Sequence, residues 1–129
     1  MIDMTSTIIP KSDQQNADDF IAGSRTITIT KVSANLSSAE QPISVFFEGD
    51  DGKPWKPCKS SRRVLVTIWG RDAANYVGRQ LTLYRDASVT WAGMAVGGIR
   101  ISHASHIDGP VTMALTASKQ VRKPFTVQP

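Results

Sequence analysis

The stretch that decides the fold class reads RTITITKV over residues 25–32. Its polar and apolar side chains alternate over residues 26–30, and β-branched residues fill most of the positions. Because successive side chains of a β-strand point to opposite faces of a sheet, the pattern predicts a strand with Ile27 and Ile29 on the buried face. A second alternating segment follows at 42–48, and the glycines and aspartates of 49–52 predict the turn that ends it.

Residues 62–69 have β-branched residues at the alternate positions 64, 66 and 68 and predict a third strand. In a strand, alternate positions divide between the core and the solvent. The core would take Val64, Val66 and Ile68, and the solvent would take Arg63, Leu65, Thr67 and Trp69. Gly70 and Gly78 then predict the ends of a short helix around 72–77.

The last third of the chain predicts a run of short strands. They are expected at 79–85, 89–91 and 96–103, with an edge strand at 111–117. Gly93, Gly97 and Gly98 predict a hairpin and either a bulge or a close backbone approach between these strands. The alternation along the whole chain predicts a core that contains Ile27, Ile29, Val45, Val64, Val66, Ile68, Leu83, Ile99 and Ile101.

The order of these elements predicts an all-β fold with one short helix. It is the order of an OB-like barrel of five antiparallel strands with its helix between the third and fourth strands. A small β-sandwich or an SH3-like barrel is the alternative, since short strands alone do not fix a topology. The 129 residues suit one domain, and we expect an N-terminal arm over 1–22, a single β-barrel domain over 23–118 and a basic C-terminal tail over 119–129.

The charges are distributed unevenly along the chain. Residues 1–52 hold three basic and eight acidic residues, whereas residues 53–100 hold nine basic and two acidic ones. The whole chain has a net charge of +4. A basic central segment on a nearly neutral protein is typical of a surface that binds polyanions, although a merely solvated surface would give the same count.

Within this basic region, segment 53–62 places a cation at every third position. Its two prolines favour polyproline II, a helix with three residues per turn and a rise of about 3.1 Å per residue. Lys53, Lys56, Lys59 and Arg62 would then follow one edge at intervals of about 9 Å and track a phosphate backbone. The alternative is a loop whose lysines and prolines keep it off the edges of other sheets.

Three aromatic side chains are candidates for stacking on nucleic-acid bases. Phe46 and Trp69 fall on the outward register of their expected strands, and Trp55 lies within the basic segment. Stacking of a base on an aromatic ring contributes about 1–3 kcal/mol and tolerates any base, although a tryptophan is more often part of a core. The remaining candidates for phosphate contacts are Arg63, Arg79, Arg85 and Arg100.

The sequence offers no catalytic motif, since it has no P-loop, dinucleotide-binding fingerprint, nucleophile elbow or helical pair of metal ligands. We therefore expect neither an enzyme nor a bound cofactor. His103 and His106 would point to opposite faces of a strand, so a zinc site that combines them with Asp108 or Cys58 is not expected either. Cys58 is the only cysteine, which excludes an intrachain disulfide.

The hydropathy of the chain predicts no contact with a membrane. No stretch approaches the roughly 20 apolar residues of a membrane helix, and the N-terminus lacks the basic and then apolar pattern of a signal peptide. We expect a cytoplasmic protein.

Several blocks of sequence carry a resemblance to a known family. They are PKSDQ at 10–14 with NADD at 16–19, KPWKPCKS at 53–60, RRVLV at 62–66 with WG at 69–70, YVGR at 76–79 with LYRD at 83–86, and VGGIRISH at 96–103. Together they cover most of the chain and resemble a family of uncharacterised proteins of bacteriophages and prophages. The resemblance implies a bacterial host cell and a role in handling replicating or recombining DNA or in interfering with a host protein, but it supplies no functional residues.

Two functions remain as hypotheses. The first is a phage-type protein that binds single-stranded DNA or RNA and acts in DNA replication or recombination. The second is a protein-interaction module whose basic face inhibits or recruits a host factor. Phosphate contacts would make the affinity for an oligonucleotide fall steeply as salt rises, and this dependence separates the two.

Overall fold

The computed structural model describes residues 4, 14–39, 41–91, 94–95, 97–116 and 122–129. These residues contain one α-helix, α1 (Lys59–Trp69), and two short 3-10 helices, Ala17–Phe20 and Ala73–Tyr76. The strands are β1 (Arg25–Ala34), β2 (Ile43–Phe47), β3 (Gln80–Asp86), β4 (Thr90–Trp91), β5 (Met94–Ala95), β6 (Gly98–Ala104), β7 (Val111–Thr116) and β8 (Arg122–Val127).

The main sheet is antiparallel, with four strands in the order β2-β1-β3-β6. One of its faces is buried and consists of Ile27, Ile29, Val45, Phe47, Leu81, Leu83 and Ile101. The burial predicted for five of these is thereby confirmed, while Ile99 is only partly buried. The other face is polar, and the hydroxyls of Thr26 and Thr82 lie 2.8 Å apart on neighbouring strands.

Residues 59–69 form α1, so the prediction of a strand at 62–69 is wrong. The helix packs Val64, Leu65 and Trp69 into the core beneath the sheet. Leu65 and Trp69 were expected to face outward, and Val66, which was expected in the core, is 50% exposed.

The physical reason is that this segment fits two periods at once. The β-branched residues at 64, 66 and 68 alternate as a strand requires, but positions 61, 64, 65, 68 and 69 also follow the spacing of three and four that defines one face of a helix. Only the helical spacing buries Leu65 and Trp69 together with Val64. Burial of these large side chains outweighs the strand propensity of the β-branched residues.

The short helix expected between the two glycines is present as the 3-10 turn Ala73–Tyr76. Gly70 and Gly78 adopt positive φ angles of 90° and 85° on either side of it. Residues other than glycine rarely adopt such angles. Gly97 and Gly98 are also closely approached, but by side chains and not by another stretch of backbone. A Cβ at Gly97 would lie 2.9 Å from the Arg85 guanidinium carbon, and one at Gly98 would lie 2.9 Å from a methyl carbon of Val89.

The end of the chain, which was expected to be a tail, includes a strand. β8 pairs with β7 along its whole length, and Val127 is completely buried. Gln128 then bridges to His103 in a parallel sense, which ties this hairpin to the edge of the main sheet. The N-terminal segment also joins the core, because Phe20 is only 2% exposed.

The fold is therefore mostly β, with one α-helix and antiparallel sheets. The described strands pair into the four-stranded sheet and two two-stranded ones, and no closed five-stranded barrel is found among the described residues. Where the third strand was expected, α1 lies instead against the core. Within the described ranges, no helix is long and apolar enough to cross a membrane.

Candidate nucleic-acid interface

The solvent-facing side of α1 is basic. Side chains four residues apart lie above one another on a helix, so Lys59, Arg63 and Thr67 form one row, with Arg62 and Val66 beside it. Lys59 and Arg63 are both exposed. The buried residues of the opposite side fix the orientation of this row.

This side of α1 borders a groove against β7. We define the helix–hairpin groove by its lining residues, which are Lys59, Arg62, Arg63, Val66, Thr67, Met113, Ala114 and Leu115. Its volume is about 500 Å³. Three of the lining side chains are cations and none is acidic, and the apolar contribution comes from Val66, Met113 and Leu115. The groove thus offers positive charge beside an apolar floor.

The cations of the groove lie at the beginning of α1. Arg62 donates a hydrogen bond from Nη1 to the carbonyl of Pro57 over 2.9 Å, which holds its guanidinium near the N-terminus of the helix. The first turn contains no acidic residue. The amide groups of a helix N-terminus carry partial positive charge, so they add to the positive potential of Lys59 and Arg62.

Two of the three aromatic residues considered for stacking are in the core. Trp55 is 2% exposed and forms an isolated bridge with Val45 at the edge of the sheet. Trp69 is 8% exposed and donates a hydrogen bond from its indole nitrogen to the carbonyl of Ser105 over 2.8 Å. The expectation that these rings could stack on bases is wrong, because their faces are covered by protein.

The third ring, Phe46, is half-buried on β2. The ammonium group of Lys31 lies 5.6 Å from its centroid, in the range of a cation–π contact. Phe46 is therefore partly occupied by a neighbour on β1, and it is not among the residues that line the groove.

The three arginines outside α1 that were candidates for phosphate contacts interact with other side chains of the fold. Arg79 lies over the ring of Trp69, with its guanidinium carbon 5.4 Å from the ring centroid. Arg85 pairs with Asp18 over 3.4 Å, and Arg100 pairs with Asp86 over 3.7 Å. Each of the three thus contributes to packing or pairing within the fold.

The four cations of the expected polyproline edge lie in three different parts of the structure. Lys53 is exposed beside the turn at Gly52, and its carbonyl accepts a hydrogen bond from Gln15 over 2.9 Å. Lys56 lines a second cavity, while Lys59 and Arg62 belong to the helix and line the groove. A single edge that carries all four cations is therefore not formed, since the helix begins at 59.

The second cavity has a volume of about 250 Å³ and is lined by Lys56, Cys58 and Arg100 together with several amides. Arg100 donates from Nη1 to the sulfur of Cys58 over 3.5 Å. Partial burial raises the pKa of the Cys58 thiol, but hydrogen bonds from Ser61 and Ser60 and the charge of Arg100 outweigh it, so the pKa lies below its usual value.

The two histidines form local contacts with serines. His103 lies 2.9 Å from the hydroxyl of Ser102, and His106 lies 2.7 Å from that of Ser105. No cluster of three or more histidine, cysteine or acidic residues within the described ranges is arranged to hold a metal ion.

The apolar half of the groove was not predicted from the sequence. Val66 was assigned to the core, and Met113, Ala114 and Leu115 were assigned only to an edge strand. The signal for Val66 was the helical spacing of the buried positions around it. The position of β7 beside α1 depends on tertiary packing, for which the sequence carries no local signal.

Comparison of the chain with known protein families, with curated proteins and with solved structures finds no match. The resemblance to phage proteins therefore stays a prediction, and the function must be inferred from the groove itself.

Proposed function

We propose that the protein binds single-stranded nucleic acid in the helix–hairpin groove and catalyses no reaction. The observation that carries this proposal is the combination of three cations, no acidic side chain and an apolar floor in one groove of about 500 Å³. A nucleic-acid strand has matching parts, since its phosphates are anionic and its bases are largely apolar on their faces.

The cations would bind the phosphate backbone. Lys59 and Arg63 are separated by one turn, which corresponds to about 6 Å along the helix axis. Both are exposed, so each side chain can reach a phosphate from the surface of the helix. Arg62 adds a third positive charge beside them.

The position of Lys59, the first residue of α1, is unfavourable for the helix, which supports a role outside helix stability. Positive side chains in the first turn oppose the helix macrodipole, and each such charge is unfavourable by roughly 0.3–1 kcal/mol. α1 has no acidic residue there to compensate. A bound phosphate would reverse this cost, because an anion is stabilised at a helix N-terminus.

The bases would contact the apolar side of the groove. Val66, Met113 and Leu115 can cover a base face, but they provide no aromatic stacking. Unpaired bases are needed for this contact, since a duplex hides the base faces. Binding should consequently depend mostly on charge and show little base preference.

An OB-like barrel and a phage setting remain part of the proposal as predictions. The groove does not depend on a closed barrel, because it lies between α1 and the β7–β8 hairpin. A role in phage DNA replication or recombination rests on the resemblance alone, and so does a bacterial host cell. We propose no cofactor.

The proposal is tested by titrating a fluorescent 20-nucleotide single strand, as DNA and as RNA, with the wild-type protein and with a Lys59→Gln/Arg63→Gln double variant. We expect the double variant to bind about tenfold more weakly, since charge-assisted contacts at a surface contribute up to roughly 1 kcal/mol each. Arg71→Gln is the matched control, because Arg71 is exposed just beyond α1 and outside the groove. Equal affinity of the double variant and the wild type would overturn the proposed site.

A further inference from the structure

The edge of β7 that faces away from β8 borders the helix–hairpin groove. Met113, Ala114 and Leu115 are consecutive, so their side chains point alternately to the two faces of the hairpin. All three nevertheless line the same groove. Consecutive residues of a strand have their backbone edge in common, and this edge is therefore what the groove exposes.

Pro124 determines which backbone groups point to that edge. In an antiparallel ladder, opposite residues alternate between pairs that exchange two hydrogen bonds and pairs that exchange none. Ala114 is paired with Pro124, and proline has no N–H to exchange. Ala114 and Pro124 therefore exchange no backbone hydrogen bonds, and both the N–H and the C=O of Ala114 point away from β8.

Thr112 and Thr126 agree with this register. They are the next pair along the ladder that exchanges no backbone hydrogen bonds. Their hydroxyl oxygens lie 2.8 Å apart. Such closeness fits the narrower spacing of pairs without backbone hydrogen bonds, about 4.5 Å between Cα atoms. Outside the β7–β8 ladder, no backbone hydrogen bond to Thr112 or Ala114 is made within the described part of the chain.

The edge of β7 consequently presents an N–H and a C=O at Thr112 and again at Ala114. Two residues of a strand span about 7 Å, which is the repeat of another β-strand. Lys59 and Arg63 lie across the groove from this edge. The site therefore combines a template for an extended backbone with positive charge.

We propose that an extended acidic peptide docks in this groove and adds a strand to β7. Its backbone would exchange hydrogen bonds with Thr112 and Ala114, as in recognition by β-augmentation. Its carboxylates would pair with Lys59 and Arg63, and its apolar side chains would contact Val66 and Met113. This partner goes beyond the proposed nucleic-acid ligand.

The charge of the groove favours an acidic peptide over a second copy of this chain as the strand that pairs with β7. A second copy of this chain would bring a second set of groove cations to the same place, and like charges that face each other oppose association. An acidic segment has the opposite sign and matches the cations. Because a peptide and a nucleic-acid strand would use the same two cations, they should compete for the groove, and this last point rests on the proposed function.

The docking is tested with labelled peptides and the wild-type protein, without nucleic acid. The probe is the acetylated and amidated peptide (Glu-Val)4, and (Lys-Val)4 is the control for charge. Two further versions carry N-methyl groups on all glutamates or on all valines, so that each lacks the N–H groups of one edge while it keeps the charge. We expect binding of (Glu-Val)4, no binding of (Lys-Val)4, and at least about fivefold weaker binding of one methylated version than of the other, since a backbone hydrogen bond contributes about 1 kcal/mol.

Protein variants provide the complementary test. Ala114→Pro removes the N–H that points into the groove, at a position whose N–H is not used by the ladder. We expect it to weaken binding of (Glu-Val)4 about fivefold, and to weaken it more than Ala114→Val, which enlarges the same side chain but keeps the N–H. Lys59→Glu/Arg63→Glu should weaken binding at least about tenfold, with Arg71→Glu as the control.

The outcomes separate the docking from its alternatives. Equal binding of both methylated peptides and the parent peptide would show attraction by charge alone and would overturn strand addition, even if Ala114→Pro fails to fold. No binding of (Glu-Val)4 to a protein that binds an oligonucleotide would overturn the docking and leave the nucleic-acid site intact. Binding of (Glu-Val)4 by a protein that binds no oligonucleotide would overturn the nucleic-acid site and leave the docking intact.

Discussion

Leu65 and Val66 are neighbours in the chain but lie on opposite sides of α1. Leu65 is 3% exposed and packs in the core, whereas Val66 is 50% exposed at the groove. An unpaired charge in a core costs several kcal/mol, while a charge on an exposed helix position changes stability by about 0.5 kcal/mol or less. We therefore expect Leu65→Asp to unfold the protein and Val66→Asp to leave its urea midpoint nearly unchanged.

The same pair of variants separates the helix from a strand. In a strand with Val64 and Val66 in the core, Val66→Asp would be the disruptive change and Leu65→Asp the tolerated one. Urea unfolding followed by circular dichroism measures both. Tolerance of Leu65→Asp together with loss of structure in Val66→Asp would contradict α1.

Cys58 shows how single contacts set a side chain's chemistry. The lowered pKa of its thiol means that the folded protein favours the thiolate, with Arg100 as one cause. The rate of alkylation by iodoacetamide should reach half its maximum at a lower pH in the folded protein than in urea, since only the thiolate reacts. The stabilisation by the thiolate should be present above the thiol pKa of the unfolded chain and should disappear as the pH falls through the folded pKa.

Arg100→Gln tests the cause of this shift. Without the guanidinium beside the sulfur, the midpoint of the alkylation profile should move to higher pH, whereas Arg71→Gln should leave it in place. An unchanged midpoint in Arg100→Gln would mean that the hydrogen bonds from Ser60 and Ser61 account for the whole shift.

At the scale of the element, α1 begins with charges that do not suit a helix. Lys59→Glu would place an acidic residue in the first turn, where it interacts favourably with the macrodipole by about 0.3–1 kcal/mol. The variant should melt at a higher temperature than the wild type and bind a single-stranded oligonucleotide more weakly. Calorimetry and an oligonucleotide titration on the same sample check both effects, and a variant that gains stability with unchanged affinity would remove Lys59 from the site.

The strands of the sheet could be predicted from the sequence, and two other elements could not. The buried residues of β1, β2 and β3 lie two positions apart, as the period of a strand requires, and no helical spacing competes with it. α1 fits two periods, and only its packing decides between them. β8 contains Pro124 and a cluster of basic residues, which favour a tail, but the missing N–H of Pro124 falls where the ladder with β7 needs none.

For the whole molecule, ion pairs reduce the charge that the sequence assigns to one basic surface. Arg85 and Arg100 pair with Asp18 and Asp86, while no acidic side chain among the described residues lines the helix–hairpin groove. The charge count predicts a basic region, but only the tertiary structure shows which of its cations lie together in one groove. The stacking rings failed as candidates because Trp55 and Trp69 fill the core between the sheet and α1.

The salt dependence of oligonucleotide binding is the sharpest test of phosphate contacts by the groove cations. For a single strand, the slope of log affinity against log salt is about −0.7 per phosphate contact, so three groove cations predict a slope near −2 for the wild type. Lys59→Gln/Arg63→Gln should reduce the slope by about 1.4, and Arg71→Gln should leave it unchanged. A wild-type slope in the double variant, or no binding of any single strand by the wild type at low salt, would contradict the account.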